Sequence, residues 1–160
     1  MFSDGLLPDN FTWQWKQFNE LTLDELYAVL KLRQDVFVIE QTCCYEDLDN
    51  ADQTATHLLV QDAARSLVAY QRVFEPGLRY DEASIGRIIV AESARSAGLG
   101  GEVVRQGIAH CRERFPNSGI RIEAQAHLGK FYGRHGFESV SDDPYDVDGI
   151  PHIDMVYRGA

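Results

Sequence analysis

Apolar positions along this chain recur with a period of either two or about 3.6, and the switches between these periods mark out its elements. Phe11-Thr12-Trp13-Gln14-Trp15-Lys16 alternates strictly between apolar and polar residues, the period of a half-buried strand. Residues 1–10 before it carry Gly5, Pro8, Asp9 and Asn10 and read as a lead-in. Thr22 and Glu25 have capping-box spacing, with Leu21 and Leu26 placed to staple the turn, so a helix is expected to start there. Its expected apolar face is Leu23, Leu26, Tyr27, Leu30 and Phe37, with fraying over 36–40, where β-branched residues accumulate.

After a polar, acidic stretch over 40–56, two strand patterns at 57–60 and 66–74 flank the polar turn 61–65 and predict a hairpin. Beyond Pro76-Gly77, residues 83–90 form another strand pattern, ending in the β-branched run Ile88-Ile89-Val90. A glycine-rich turn follows, then a helix with Leu99, Val103, Val104, Ile108, Cys111 and Phe115 on one face, stopped by Pro116-Asn117-Ser118-Gly119. Residues 120–124 alternate again, and a short helix over 128–135 is expected to end at Gly136. Residues 137–140 and 152–157 are expected to close the sheet as an antiparallel pair around a long polar loop, 142–151. The order is β-α-β-β-β-α-β-α-β-β, an α/β arrangement of one mixed sheet flanked by helices. The helix between strands 83–90 and 120–124 makes that connection parallel.

With 160 residues, a single domain with its own core is expected. The formal charge of −10 argues against a nucleic-acid or anionic-membrane surface and mildly favours a cationic or amine partner. No apolar run has the length of a membrane span, and the N-terminus lacks a basic secretion start, so a cytoplasmic protein is the default expectation. Three cysteines, Cys43, Cys44 and Cys111, form no disulfide framework, and Cys111 belongs to a helix core face. Glu46, Asp47, Asp49 and Asp52 suggest calcium, but an EF-hand loop starting at Asp47 would need Gly and Glu where Asp52 and Leu58 stand. The acidic stretch therefore reads as a solvated loop or a wall of the acceptor site, and no metal is expected.

The candidate chemistry begins at Arg95-Ser96-Ala97-Gly98-Leu99-Gly100-Gly101, where a strand has just ended and a helix begins. Free backbone N–H groups at the positive end of a helix, with glycines permitting close approach, suit a phosphate. A P-loop would need a lysine after its last glycine, but Gly101 is followed by Glu102; a dinucleotide fingerprint counted from Gly98 would need Gly or Ala where Val103 stands.

The remaining pattern, Arg-x-x-Gly-x-Gly, resembles the pyrophosphate-binding turn of the GNAT N-acetyltransferases. Downstream, Phe131-Tyr132-Gly133-Arg134-His135-Gly136-Phe137 resembles the same superfamily's aromatic pair followed by Gly-Phe. The stretches 32–41, 123–127 and 149–153 are similar to the small ElaA-like branch, so the resemblance spans the chain from the first strand onward. It implies the GNAT acyl-CoA N-acyltransferase fold and transfer of an acetyl group from acetyl-CoA to a primary amine, either a small amine or a protein lysine or N-terminus. Dimerisation is common in that superfamily, and the final strand and the loop before it are candidate contacts for a homodimer. A non-catalytic acyl-CoA sensor or interaction module is the alternative, one that would keep the glycine turn without using Tyr132.

Under this resemblance the diphosphate would meet Arg95 and the amides of Ser96, Ala97, Gly98, Leu99, Gly100 and Gly101, while a backbone N–H among Ile88, Ile89 and Val90 would hold the developing oxyanion. Phe131 belongs to the helix along the pantetheine arm, and Gln125 is a candidate contact to that arm, although many members carry Asn and small residues in this link. Tyr132 is the expected acid for the departing thiolate. A lysine-like amine is almost wholly protonated at neutral pH, so a base is required. Glu123, His127, His152 and an ordered water are the candidates, with Glu123 and His127 put first.

Overall fold

The alternating N-terminal stretch becomes an edge strand, Thr12–Gln17 (β1), paired antiparallel with Thr56–Gln61 (β2) in a computed structural model that describes residues 10–141 and 143–159. All of the lead-in except Asn10 lies outside the described residues. The helix Leu23–Arg33 (α1) starts where the capping box predicts: the Glu25 N–H donates to Thr22 Oγ1 at 3.1 Å, and the Thr22 N–H donates to the Glu25 carboxylate at 3.0 Å.

The face that α1 buries differs from the expected one. Leu23 and Tyr27 are 86% and 74% exposed, whereas Val29, Leu32, Arg33 and Val36 are buried against Leu59, Tyr70 and Ile89 of the sheet. Hydrophobicity alone could not place Arg33 in that face, because its burial depends on carboxylates distant in sequence. Nor does the helix fray: Gln34–Glu40 continue it in wider π-helical turns, with Gln41 N–H reaching Val36 O at 3.2 Å and Cys43 N–H reaching Val38 O at 3.1 Å.

β2 forms the expected hairpin with Leu67–Phe74 (β3), which pairs antiparallel with Ala83–Val90 (β4). Leu99–Arg114 (α2) crosses the opposite face of the sheet from α1, burying Leu99, Val103, Val104, Ile108 and Cys111. It lies close enough that a Cβ at Gly107 would stand 2.7 Å from Gln71 Oε1; the amide of Gln71 donates to Val103 O at 2.9 Å. α2 delivers the chain to Ile120–Gln125 (β5), parallel to β4. The short helix Gly129–Gly133 (α3) leads to Glu138–Ser139 (β6), Tyr145–Val147 (β7) and Ile150–Tyr157 (β8). The sheet runs β1-β2-β3-β4-β5-β8-β6, with β7 also on β8.

β7 corrects the expectation of a featureless loop over 142–151. Asp148 and Gly149, with φ of +50° and +83°, form a two-residue turn between Val147 and Ile150, which pair. An Asp-Gly pair flanked by apolar residues is a strong hairpin signal, so this strand was legible in the sequence and was missed.

Candidate active site

β4 cannot run straight beside both neighbours. Tyr70 pairs with Ile89 and Arg72 with Gly86, so one residue of β3, Gln71, opposes two of β4, Arg87 and Ile88. The extra residue is a bulge, and Arg87 takes it up in the left-handed region at φ +53°. Beyond it the pleat is reset: Ile85 packs toward α2 and so does Ile88, while Ile89 turns to α1.

On its other edge β4 meets β5 only at Ala83 with Ile120 and Ser84 with Arg121. From there the strands part, and β5 stays paired with β8 along its whole length. The edge of β4 from residue 85 to 90 is therefore left without ladder partners on the β5 side, and a cavity of about 470 Å³ opens there. Ile88, Ile89 and Val90 line it from β4, Glu123 and Gln125 from β5, and Phe131 and Tyr132 from α3. Gln41, Cys43 and Tyr45 wall it on one side, and the β7–β8 turn with Asp148 and His152 on another.

The glycine turn lies at the open end. Glu92–Ala97 form a 3₁₀ turn, so Arg95, Ser96 and Ala97 precede α2 rather than beginning it. Gly98, left-handed at φ +73°, is the N-cap, and no side chain caps the helix. The first amides of α2, from Leu99, Gly100 and Gly101, thus lack both intrahelical and side-chain partners, and Gly100 lines the cavity. These features suit an anionic group. Arg95 stands beside them, its Nε–H on Val90 O at 3.0 Å and its guanidinium clasping the Glu40 carboxylate, with Nη2 at 2.9 Å. The Arg95 contact holds Glu40 below the usual carboxylate range, but the pair is exposed and so weak enough to yield to a competing anion.

Tyr132 is 8% exposed, packed edge-on against Phe131 and Phe137. The spacing of the motif has a local cause: Gly136, at φ +95°, turns the chain back so that the Phe137 N–H closes on Tyr132 O at 3.2 Å, placing the Phe137 ring beside that of Tyr132. Its hydroxyl makes no hydrogen bond to any described residue, and burial pushes it up to about 12, so it stays protonated at neutral pH.

The base candidates separate. Glu123 lines the cavity and is exposed, with no ion pair among the described residues. His127 stands exposed in the turn Ala126–Leu128 and does not line the cavity, whereas His152 does. His152 Nδ1 is 2.8 Å from Ile150 O; a carbonyl only accepts, so Nδ1 carries the hydrogen, and Nε2 is the nitrogen that can exchange a proton. Gln125 Nε2 donates to Gln41 Oε1 at 3.3 Å across the cavity.

The acidic segment is solvated only in part: Glu46 is exposed, whereas Asp47 and Asp52 are buried in ion pairs. Arg33, fully buried, donates to Asp47 at 2.8 Å and Asp52 at 2.7 Å; Arg72, 1% exposed, bridges Asp49 and Asp52; Arg87 donates to Asp47. His57 completes the cluster. Its Nε2 faces Asp52 O at 2.9 Å and so carries the hydrogen, leaving Nδ1 to accept from Tyr70 Oη at 2.6 Å. This network fastens the 41–52 segment as a cavity wall. An arginine amid the apolar residues of β3 was the signal for it, since a buried guanidinium needs carboxylates.

The model for the acetyltransferase (GNAT) domain matches residues 27–158. A UPF0039 protein of Synechocystis is 41% identical over 146 residues, 91% of this chain and 94% of that relative, and protein ElaA of Escherichia coli is 38% identical over 144 residues, 89% and 94% of the two chains. The crystal structure of E. coli ElaA superposes with a TM-score of 0.85 at 37% identity, and that of an acyl-CoA N-acyltransferase from Pseudomonas aeruginosa with 0.85 at 36%; each covers 91% of this chain and 98% of the other.

Proposed function

The chain belongs to the GNAT acetyltransferase family, and from that premise we propose that it is an acetyl-CoA-dependent N-acetyltransferase that moves the acetyl group directly to a primary amine. One observation carries this reading: the unpaired edge of β4, the uncapped start of α2 and Tyr132 all converge on the cavity between β4 and β5.

The residues fit coenzyme A in separate ways. The amides of Leu99 to Gly101, with Arg95, receive the diphosphate; Gln125 and Phe131 border the pantetheine arm. The N–H groups of β4 past the bulge, within Ile88 to Val90, lie at the free edge where a thioester carbonyl would develop negative charge, and donors fixed in a strand need little reorganisation to meet it. The neutral amine attacks the carbonyl carbon, the C–S bond breaks, and the thiolate takes the Tyr132 proton. Glu123 or His152 Nε2 removes the proton lost by the amine, directly or through a water; both line the cavity, and His127 does not. The exposed Cys44 and buried Cys43 are not needed as acyl carriers, and the Cys43 thiol is engaged with Asp148 O at 3.3 Å.

The test is release of free thiol from acetyl-CoA with a broad panel of amines, alongside direct measurement of coenzyme A binding. Amine-dependent thiol release that Tyr132→Phe strongly lowers is the expected result. Binding without release for any amine would make the protein an acyl-CoA-binding module.

A further inference from the structure

The charge lining this cavity runs against that of the protein. The chain has 25 acidic and 15 basic residues, yet four arginines, Arg72, Arg79, Arg87 and Arg121, line the end of the cavity away from the glycine turn, and Glu123 and Asp148 are the carboxylates of its lining. The carboxylates paired with these arginines, including Asp47, Asp49 and Asp154, stand behind them and do not line the cavity. The acidic surplus of the chain therefore does not describe this end of the cavity, where guanidiniums stand in front of their carboxylates.

Several of these donors also lack partners. Arg72 and Ser84 are 1% and 4% exposed, and both line the cavity, but Arg72 Nε and Ser84 Oγ have no hydrogen-bond partner among the described residues, nor has Arg121 Nε. Ser84 and Arg121 face each other in the last rung before β4 and β5 part, and Arg72 is level with Gly86. Buried polar atoms left unpaired are costly, and all three belong to residues lining one end of the cavity, where an accepting group would relieve them. A carboxylate does so, and its planar shape suits guanidinium.

Resting on the acetyltransferase reading above, we propose that the acceptor is an amine that also carries a carboxylate, which binds at the Arg72, Ser84, Arg121 end of the cavity with Arg79 at its rim. The other end of the acceptor is then positioned by the sheet. Glu123 is two residues beyond Arg121 on the same face of β5, roughly 7 Å toward the splay. The acceptor amine sits there, between Glu123 and Tyr132, and an acceptor with its amine and carboxylate several bonds apart spans the two groups.

The experiment compares glycine, glycylglycine and 6-aminohexanoate with their carboxamides as acceptors. The expected result is a kcat/KM for a carboxylate acceptor on the order of tenfold above that of its amide, with the ratio falling toward one in Arg79→Gln and in Ser84→Ala. Equal or better use of every amide overturns the proposal while leaving the acetyltransferase reading intact. A second arm needs no turnover: N-acetylglycylglycine and its amide are titrated calorimetrically into the wild-type protein saturated with coenzyme A. Preferential binding of the carboxylate supports the subsite even if no amine is acetylated, and equal binding or none overturns it.

Discussion

Asp47 holds Arg87 at the bulge of β4: Arg87 Nε donates to the Asp47 carboxylate at 2.8 Å, and Nη2 donates to the Asp47 carbonyl at 3.0 Å. A non-glycine residue in the left-handed region costs free energy, and this fork fixes it there. The same carboxylate accepts from the buried Arg33, so the shape of β4 and the position of the cavity wall are set at one point. Asp47→Ala should lower stability by about 1–3 kcal/mol, because it leaves the buried Arg33 Nε without an acceptor while Asp52 still pairs the guanidinium. Arg87→Lys, which keeps the charge and loses the fork, should unfold in urea near the wild-type midpoint and show a reduced kcat. An unchanged kcat would mean that the bulge does not depend on this contact.

Tyr132→Phe should cut kcat by roughly 10²-fold or more with acetyl-CoA affinity within about twofold of wild type, as loss of a general acid requires. Because burial raises the Tyr132 hydroxyl to about 12, its ionisation should produce no fall in wild-type rate up to about pH 10. A pH–rate profile together with equilibrium binding checks both.

Arg95→Ala should weaken coenzyme A binding on the order of tenfold and reduce its dependence on salt. Glu40→Gln should act in the opposite direction, tightening binding a few-fold, since it removes the carboxylate that Arg95 now clasps. Weaker binding in Glu40→Gln would show instead that Glu40 orients the guanidinium.

His57 makes stability depend on acid. Burial holds its imidazole below the ordinary value of 6.5, so as the pH falls below that value the unfolded chain takes up the proton first. The contribution is present above about pH 6.5 and is lost as the pH falls through the folded-state value. Urea midpoints should decline over this range, and His57→Gln should flatten the decline without abolishing it, because His110 and His135 are lowered by burial too.

Gly107→Ala tests how closely α2 approaches the sheet. Its Cβ would meet both the Gln71 amide and Ile85 Cδ1 within 3 Å, and overpacking at such a contact costs about 1–3 kcal/mol. Thermal unfolding of the variant measures it.

Short-range order was legible in the sequence. The Thr22–Glu25 capping box, the limits of β4 at Ala83 and Val90, the apolar face of α2 and the turn at Gly136 each depend on neighbours a few residues apart, and each appears where its pattern puts it. The same holds for the glycine turn, although its residues divide between a 3₁₀ turn and the start of α2. What local pattern could not supply was partnership. That the side of α1 facing the sheet includes Arg33 depends on Asp47 and Asp52, 14 and 19 residues away. The surplus residue opposite Gln71 and the parting of β4 from β5 are visible only once the neighbouring strands are in register, and the arginine lining of the cavity depends on the carboxylates standing behind it. The sequence by itself determined most of the elements and their order, because these follow from spacing along the chain, and its motifs carried the resemblance to the family; β7 and the π-helical turns after α1 were not among them. The tertiary structure alone decided where the strands part and which charges face the opening, because both arise from contacts between segments far apart in sequence.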